Sequence, residues 1–472
     1  MPNPATDPAD LIQIDQGQPA RDIHLVDKGS FEGWLAAQPE RHRTAIEAHA
    51  FKPTAFAWCI LPGDMPDQWS VVTGVADTAT LSSWCLAKLA DVLPAGTYRL
   101  KDGEPGAAIF GWMTGQYRFE RYKTKTSDKG ARILLSRQAP LRDRLAMEAR
   151  AVTLVRDLVN TPAEDMGPDA LEATAKAIAM RHDAALEVTR GETLETSYPM
   201  VHAVGRAAGR NHAPRFIELR WGREDHPRIA IIGKGVTFDS GGLDIKPSSA
   251  MRLMKKDMGG AAHALALAGL IMESGLPVRL HLLVPVAENA VGAHAFRPGD
   301  VLTARDGTHI EITNTDAEGR LLLADALIRA GEEKPELIVD FATLTGAARA
   351  ALGPDLPALF VNDDALANAL TDAGTESDDP LWRLPLWAPY DDMMKSDIAD
   401  MVNSAEGGFG GAITAALFLQ RFVPKGIAWA HLDTFAWRPA AKPGRPKGGD
   451  ALGLRAVQTA LRTRYGRAES QA

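Results

Sequence analysis

The chain is poor in cysteine, with Cys59 and Cys85 the only two in 472 residues. Two thiols cannot build a disulfide framework, and their spacing fits no metal-binding pattern. Both lie in apolar segments, where a free thiol behaves as a small core residue. No apolar run reaches the roughly 18–20 residues that crossing a bilayer requires. The opening stretch, Met1 to Pro8, has neither the basic start nor the apolar core of a secretion signal. A cytoplasmic location with no membrane partner is therefore the expectation. No block of Lys or Arg occurs and the net charge is −8, which argues against a general nucleic-acid binder. The 12 histidines form no His-x-x-x-His or His-Glu-x-x-His pair, which excludes the commonest zinc-hydrolase signatures.

What is present reads as an ordinary globular protein, with 45% hydrophobic and 24% charged residues. Its length suggests two domains, one of them large. Residues 1–30, rich in Pro, Asp and Gln, read as a lead-in tied to the surface. Short strands are expected near 56–62, 69–75, 96–100, 106–113 and 132–136, with an amphipathic helix over Ala79 to Val92. Five tryptophans between Trp34 and Trp112 suit the core of this small α/β domain, placed at 1–138. A linking segment at 139–165 follows, its helical pattern stopped by Asn160-Thr-Pro162. From 166 to 472, helices near 168–183, 195–207, 260–274 and 320–331 alternate with strands near 186–190, 215–221, 229–233, 278–286 and 336–341. Such alternation indicates βαβ units, hence an α/β fold with a mostly parallel sheet covered by helices on both faces. A last helix is expected at Asp450 to Arg464.

The chemistry concentrates in loops that follow strands. Gly233-Lys-Gly-Val-Thr-Phe-Asp-Ser-Gly-Gly242 continues to Lys246 and then to Lys256-Asp-Met-Gly-Gly260, between an apolar strand and an alanine-rich helix. Ligand sites in open α/β sheets gather beyond the carboxyl ends of strands, so Lys234, Asp239, Lys246 and Asp257 fall where chemistry is expected. A second loop, Asn314-Thr-Asp-Ala-Glu-Gly-Arg320, precedes another helix. If extended, it would place Asp316, Glu318 and Arg320 on one side of the backbone. Taken alone it equally fits a solvated turn in which an acid caps the helix. The two loops together change the balance. Four carboxylates on one rim cannot all stay ionised without divalent cations, and oxygen-dominated bridging sets suit paired Mg, Mn or Zn. Lys234 would either neutralise a carboxylate or, beside dications, act as a neutral amine ligand, while Lys246 would stay protonated and polarise a carbonyl.

Gly233–Gly242, the run Lys-Asp-Met-Gly-Gly-Ala-Ala at 256–262, Asn-Thr-Asp-Ala-Glu-Gly-Arg-Leu at 314–321 and Asp-x-Ala-Thr-Leu-Thr-Gly at 340–346 closely resemble the leucyl (cytosol) aminopeptidase family. Asn160-Thr-Pro162 and His431-Leu-Asp433 resemble further landmarks, and the likeness covers about residues 150–440. It implies a dinuclear metal exopeptidase. Lys234, Asp239, Asp257 and Glu318 would hold the tighter cation and Asp239, Asp316 and Glu318 the more exchangeable one. The metals implied are Zn or Mn, with Mg as a further option. Lys246 matches the lysine on the reacting carbonyl oxygen and Arg320 the arginine that holds a bicarbonate ion acting as general base. Met254, Thr343 and Gly346 match positions lining the pocket for the N-terminal side chain, and Leu344 offers a backbone carbonyl. By this resemblance a metal-bridging water cleaves the N-terminal residue from short peptides, in a homohexamer.

Other features carry less. His431 follows an apolar run and reads as a structural histidine, and Gly407-Gly-Phe-Gly-Gly411 as turning room before a helix at Ala412 to Phe422. Gly233-Lys-Gly lacks the remaining elements of a phosphate loop. The alternative from another class is a DNA-binding or regulatory protein on the same scaffold. A third reading is an oligomeric scaffold with a vestigial site. The complete ligand set and the acidic charge favour catalysis.

Overall fold

The computed structural model describes residues 7–65, 67–126 and 129–466. It divides into two compact units, the first running to Thr153 and including Ala440–Lys447, the second from Leu154 to Pro439 and from Gly448 onward. The boundary falls within the helix Ala139–Asn160.

In the first unit a six-stranded sheet runs in the order Ile12–Ile14, Arg132–Ser136, Gly96–Leu100, Arg21–Val26, Trp69–Gly74, Trp58–Pro62. All its pairings are parallel except the last, which is antiparallel. Two of these strands lie in the segment read as a lead-in, because Ile23 and Val26 give Arg21–Val26 a buried face despite its charged neighbours. The part of that reading covering residues 1–6 lies outside the described residues.

The strand expected at 106–113 is instead the helix Ala108–Thr114, buried along its whole length. A short, fully apolar run has no polar face, so its period does not separate strand from helix. Close packing decides: a Cβ on Gly111 would stand 2.2 Å from Ser83 O, and Trp112 Nε1 donates to Arg132 O at 2.8 Å. The helix expected from Ala79 narrows to Ala87–Val92.

The second unit is built on a nine-stranded mixed sheet. Its centre is parallel, in the order Ala428–Asp433, Leu337–Ala342, Arg228–Gly233, Arg279–Asn289. Antiparallel neighbours flank it, Ala358–Val361 on one side and Arg215–Trp221 on the other. The four residues from Ile229 to Ile232 are completely buried, as expected of a strand covered on both faces. Ala230, Ile232, Ile338 and Ala342 pack with the helix Gly319–Glu332. Phe341, on the opposite face by the alternation of strand side chains, stacks on His263 of the helix Gly259–Glu273. This two-domain α/β architecture agrees with the sequence reading. The helix expected at 195–207 is two, Gly191–Ser197 and Pro199–Gly205, since Pro199 has no amide hydrogen to continue the first.

Candidate metal centre

Each central parallel strand of the second unit delivers chemistry at its carboxyl end. Lys234 follows Arg228–Gly233, Thr343 follows Leu337–Ala342, and Asp433 closes Ala428–Asp433. Asp239 ends the strand Gly235–Asp239, which pairs with the far half of Arg279–Asn289 and sets Asp239 opposite Asn289. The Asn314 loop is not extended. Ala317 N bonds back to Asn314 O at 3.2 Å and Glu318 is already helical, so Asp316 and Glu318 come together through a tight turn rather than strand alternation.

These segments converge. Asp239, Asp316 and Glu318 each present an oxygen within 4.8 Å of the others. Two like charges at that spacing repel by about 3–4 kcal/mol at an effective dielectric constant of about 20. Two lysines each bridge a pair of acids. Lys234 Nζ lies 2.6 Å from Asp257 Oδ2 and 2.9 Å from Glu318 Oε1. Lys246 Nζ lies 2.8 Å from Asp239 Oδ2 and also pairs with Asp316. Burial opposes both ammonium groups, but the surrounding carboxylates outweigh it and raise both pKa values.

The charge does not balance. Burial, with Asp239 as the main repelling neighbour, pushes Glu318 up to about 8 and Asp316 up to about 6. Burial alone would raise Asp257 as well, yet Lys234 and Lys256 hold it well below the usual carboxylate range. Among the described residues, Asp316 Oδ1 and Glu318 Oε1 are buried without a hydrogen bond of acceptable geometry. A carboxylate cluster short of positive charge, in which two buried oxygens meet an ammonium outside hydrogen-bond geometry, fits divalent cations.

Four supporting residues escaped the sequence reading. Asn289 Nδ2 donates to Asp239 Oδ1 at 2.8 Å and to Thr315 O at 3.1 Å, tying the two loops together. Lys256, fully buried, places Nζ 3.0 Å from Asp257 Oδ1. Asp433 accepts from Leu344 N at 3.0 Å, Thr345 N at 3.1 Å and Thr345 Oγ1 at 2.6 Å. Asn403 accepts at its carbonyl from Arg320 at 2.8 Å. Lys256 and Asp433 lay in motifs of the sequence, beside Asp257 and in His431-Leu-Asp433, and those neighbours were the available signal.

The pocket candidates are placed as follows. Thr343 Oγ1 donates to Asp257 Oδ1 at 2.8 Å, so it holds a carboxylate of the cluster. Met254 is buried at the start of the short helix Met254–Met258, and Gly346 opens the helix Gly346–Leu352. Neither belongs to the polar cluster. Leu344 packs partly buried against the core. His431 is enclosed and pairs with Asp340, as a structural histidine would.

A model of the Cytosol aminopeptidase family, catalytic domain, matches residues 153–458. The chain belongs to the cytosol aminopeptidase family. A second model, M17 aminopeptidase, N-terminal domain, matches residues 22–136. A probable cytosol aminopeptidase of Roseiflexus castenholzii is 41% identical over 413 residues, 84% of each chain. The crystal structure of a cytosol aminopeptidase from Coxiella burnetii is 46% identical, with a TM-score of 0.91 over 97% of this chain and 100% of its own. The bottromycin maturation enzyme BotP in complex with Mn is 33% identical, with a TM-score of 0.85 over 95% of this chain and 100% of its own. As a member of the cytosol aminopeptidase family, this chain is a metal-dependent hydrolase that removes N-terminal residues from peptides. That assignment supports the catalytic reading. Among the described residues, no helix is long and apolar enough to cross a membrane.

Proposed function

We propose that this cytosol aminopeptidase holds two divalent cations, with Lys234, Asp239, Asp257 and Glu318 around one, and Asp239, Asp316 and Glu318 around the other. The observation that carries the reading is the convergence of Asp239, Asp316 and Glu318 within 4.8 Å, flanked by lysines that bridge acids from different loops. Mn and Zn suit this oxygen-rich set with one amine, and Mg is a further option. When bound, such a pair supplies an activated water and Lewis acidity.

The protein's own groups do the rest. Lys246, whose side chain is 13% exposed, is the cation set to receive negative charge on the scissile carbonyl oxygen. Arg320 spends one guanidinium nitrogen on Asn403 O, while its buried Nε has no acceptor among the described residues. This supports an anion such as bicarbonate as its partner, serving as general base. Thr343, Leu344 and Gly346, with Met254, line the place of the N-terminal residue, and Asp433 fixes the backbone of Leu344 and Thr345. Short peptides are the substrates, a homohexamer is the assembly and the cytoplasm the location. Exposed Trp382, Trp387 and Ile398 supply apolar surface for self-association.

The test is hydrolysis of an aminoacyl-arylamide panel by chelator-stripped protein, repeated after adding back Mn, Zn, Mg or Co. Two cations per chain and restored turnover are expected. Binding of fewer than two, or full turnover without any, would overturn the dinuclear reading. Sedimentation of the loaded protein checks the hexamer, and an active monomer would refute it.

A further inference from the structure

One wall of the pocket assigned to the N-terminal residue carries an unpaired charge. Phe435 lies two residues beyond Asp433, the acid that fixes the backbone of Leu344 and Thr345. A Cβ on Gly259 would overlap Ala436 and stand 2.9 Å from Thr343 Cγ2. This close packing seats the segment Phe435-Ala436 beside Thr343.

Arg349 reaches the same place from the helix Gly346–Leu352. Helical side chains slant toward the amino end of their helix, which carries Arg349 back over the residue three before it. A Cβ on Gly346 would stand 3.6 Å from Arg349 Nη2. The guanidinium also lies over Phe435, its Cζ 4.8 Å from the ring centroid. A cation propped on an aromatic ring thus stands over Gly346.

No acid answers it. Among the described residues, Arg349 makes no side-chain hydrogen bond and no ion pair. The acids of the neighbouring segments are committed elsewhere. Asp257 serves Lys234, Lys256 and Thr343, and Asp433 serves Leu344 and Thr345. Asp340 takes His431 and Trp429, and Asp355 takes Arg438. Lys256 Nζ lies 5.8 Å from the centroid of the same Phe435 ring, so a second basic side chain borders this wall. The other wall residues offer a ligand little polarity. Thr343 donates its hydroxyl proton to Asp257, and Met254 and Gly346 have no side-chain donor.

A guanidinium presents its donors in a planar fork that matches a carboxylate with two parallel hydrogen bonds. We propose that Arg349 sets the specificity of this pocket, and that the preferred peptides begin with an acidic residue, glutamate or aspartate, whose side-chain carboxylate pairs with the guanidinium. The proposal rests on the pocket assignment made above and adds the class of residue that fills it.

Glutamine has the shape of glutamate without its charge, so the two isolate the effect. The test compares kcat/KM of the metal-loaded protein on glutamyl- and glutaminyl-arylamides, with leucyl- and lysyl-arylamides alongside. The glutamyl substrate is expected to lead the glutaminyl one by about tenfold or more, as a hydrogen bond to a charged group supplies. Arg349→Met should bring that ratio close to one, chiefly through KM, and Arg349→Glu should turn the preference to the lysyl substrate. Arg349→Lys, which keeps the charge but loses the fork, should retain part of the ratio. A wild-type ratio near one, or a ratio that Arg349→Met leaves intact, would overturn the proposal, while leucyl hydrolysis would leave the aminopeptidase reading standing. Hydrolysis of none of the four substrates would sink both. The wild-type ratio decides the matter by itself if the variants fail to fold.

Discussion

Lys256 places its ammonium 3.0 Å from Asp257 Oδ1 inside the second unit, with side chains 1% and 4% exposed. The same oxygen accepts from Thr343 Oγ1 at 2.8 Å, leaving Oδ2 to Lys234. The arrangement is asymmetric, because Asp257 has three donors but Lys256 has one anion.

An asymmetry in stability follows. Asp257→Asn strands an enclosed ammonium, so it should destabilise the chelator-treated protein by about 3–5 kcal/mol in urea unfolding. Lys256→Met should cost no more than about 1 kcal/mol, since Lys234 and Thr343 still serve Asp257. The double variant should recover most of the Asp257→Asn loss. A Lys256→Met cost as large as that of Asp257→Asn would disprove the pairing argument.

Lys246 and Asp239 should separate chemistry from metal binding. Lys246→Met is expected to lower kcat by about 10²–10³ while the metal content, read by atomic emission, stays at wild-type level. Asp239→Ala removes an oxygen that also receives Asn289 Nδ2 and Gly241 N, so metal occupancy should fall first and turnover with it. An Asp239→Ala protein retaining both cations and full rate would refute the assignment.

Gly319 is required by space rather than by backbone angle. A Cβ there would stand 2.5 Å from Lys234 Cε and 2.7 Å from its Nζ, and two carboxylates pin that amine in place. Alanine is a better helix former than glycine by about 1 kcal/mol, so propensity alone predicts a harmless or stabilising change. We expect Gly319→Ala to displace the amine instead, reducing metal affinity in a calorimetric titration. Unchanged affinity would show that Lys234 relaxes without consequence.

His263 predicts an acid limb in stability. Its Nδ1 lies 2.7 Å from Gly259 O and its Nε2 accepts from Leu452 N at 3.0 Å, so the buried ring is neutral. Burial lowers its pKa to about 4, against about 6.5 when unfolded. Between those values the unfolded chain binds the extra proton, so this contribution is complete above about pH 6.5 and is lost as pH falls through about 4. His263→Phe removes the titration, and the slope of unfolding free energy against pH in that window should fall by up to about 1.4 kcal/mol per pH unit. An unchanged slope would count against a neutral His263.

Much of this protein was legible in its residues alone. Alternating apolar strands and alanine-rich helices announced the α/β sheet, and the acids and lysines of two loops announced a shared cation site, because local periodicity and residue chemistry are written in the chain. Only the tertiary structure made Ala108–Thr114 a helix, folded the Asn314 loop into a turn, and brought Lys256, Asn289 and Asp433 to their partners. An all-apolar run reads alike in either secondary structure, and a polar residue shows no partner until segments distant in sequence are packed against it. Residue type fixed what each group can do, and the fold decided which groups meet.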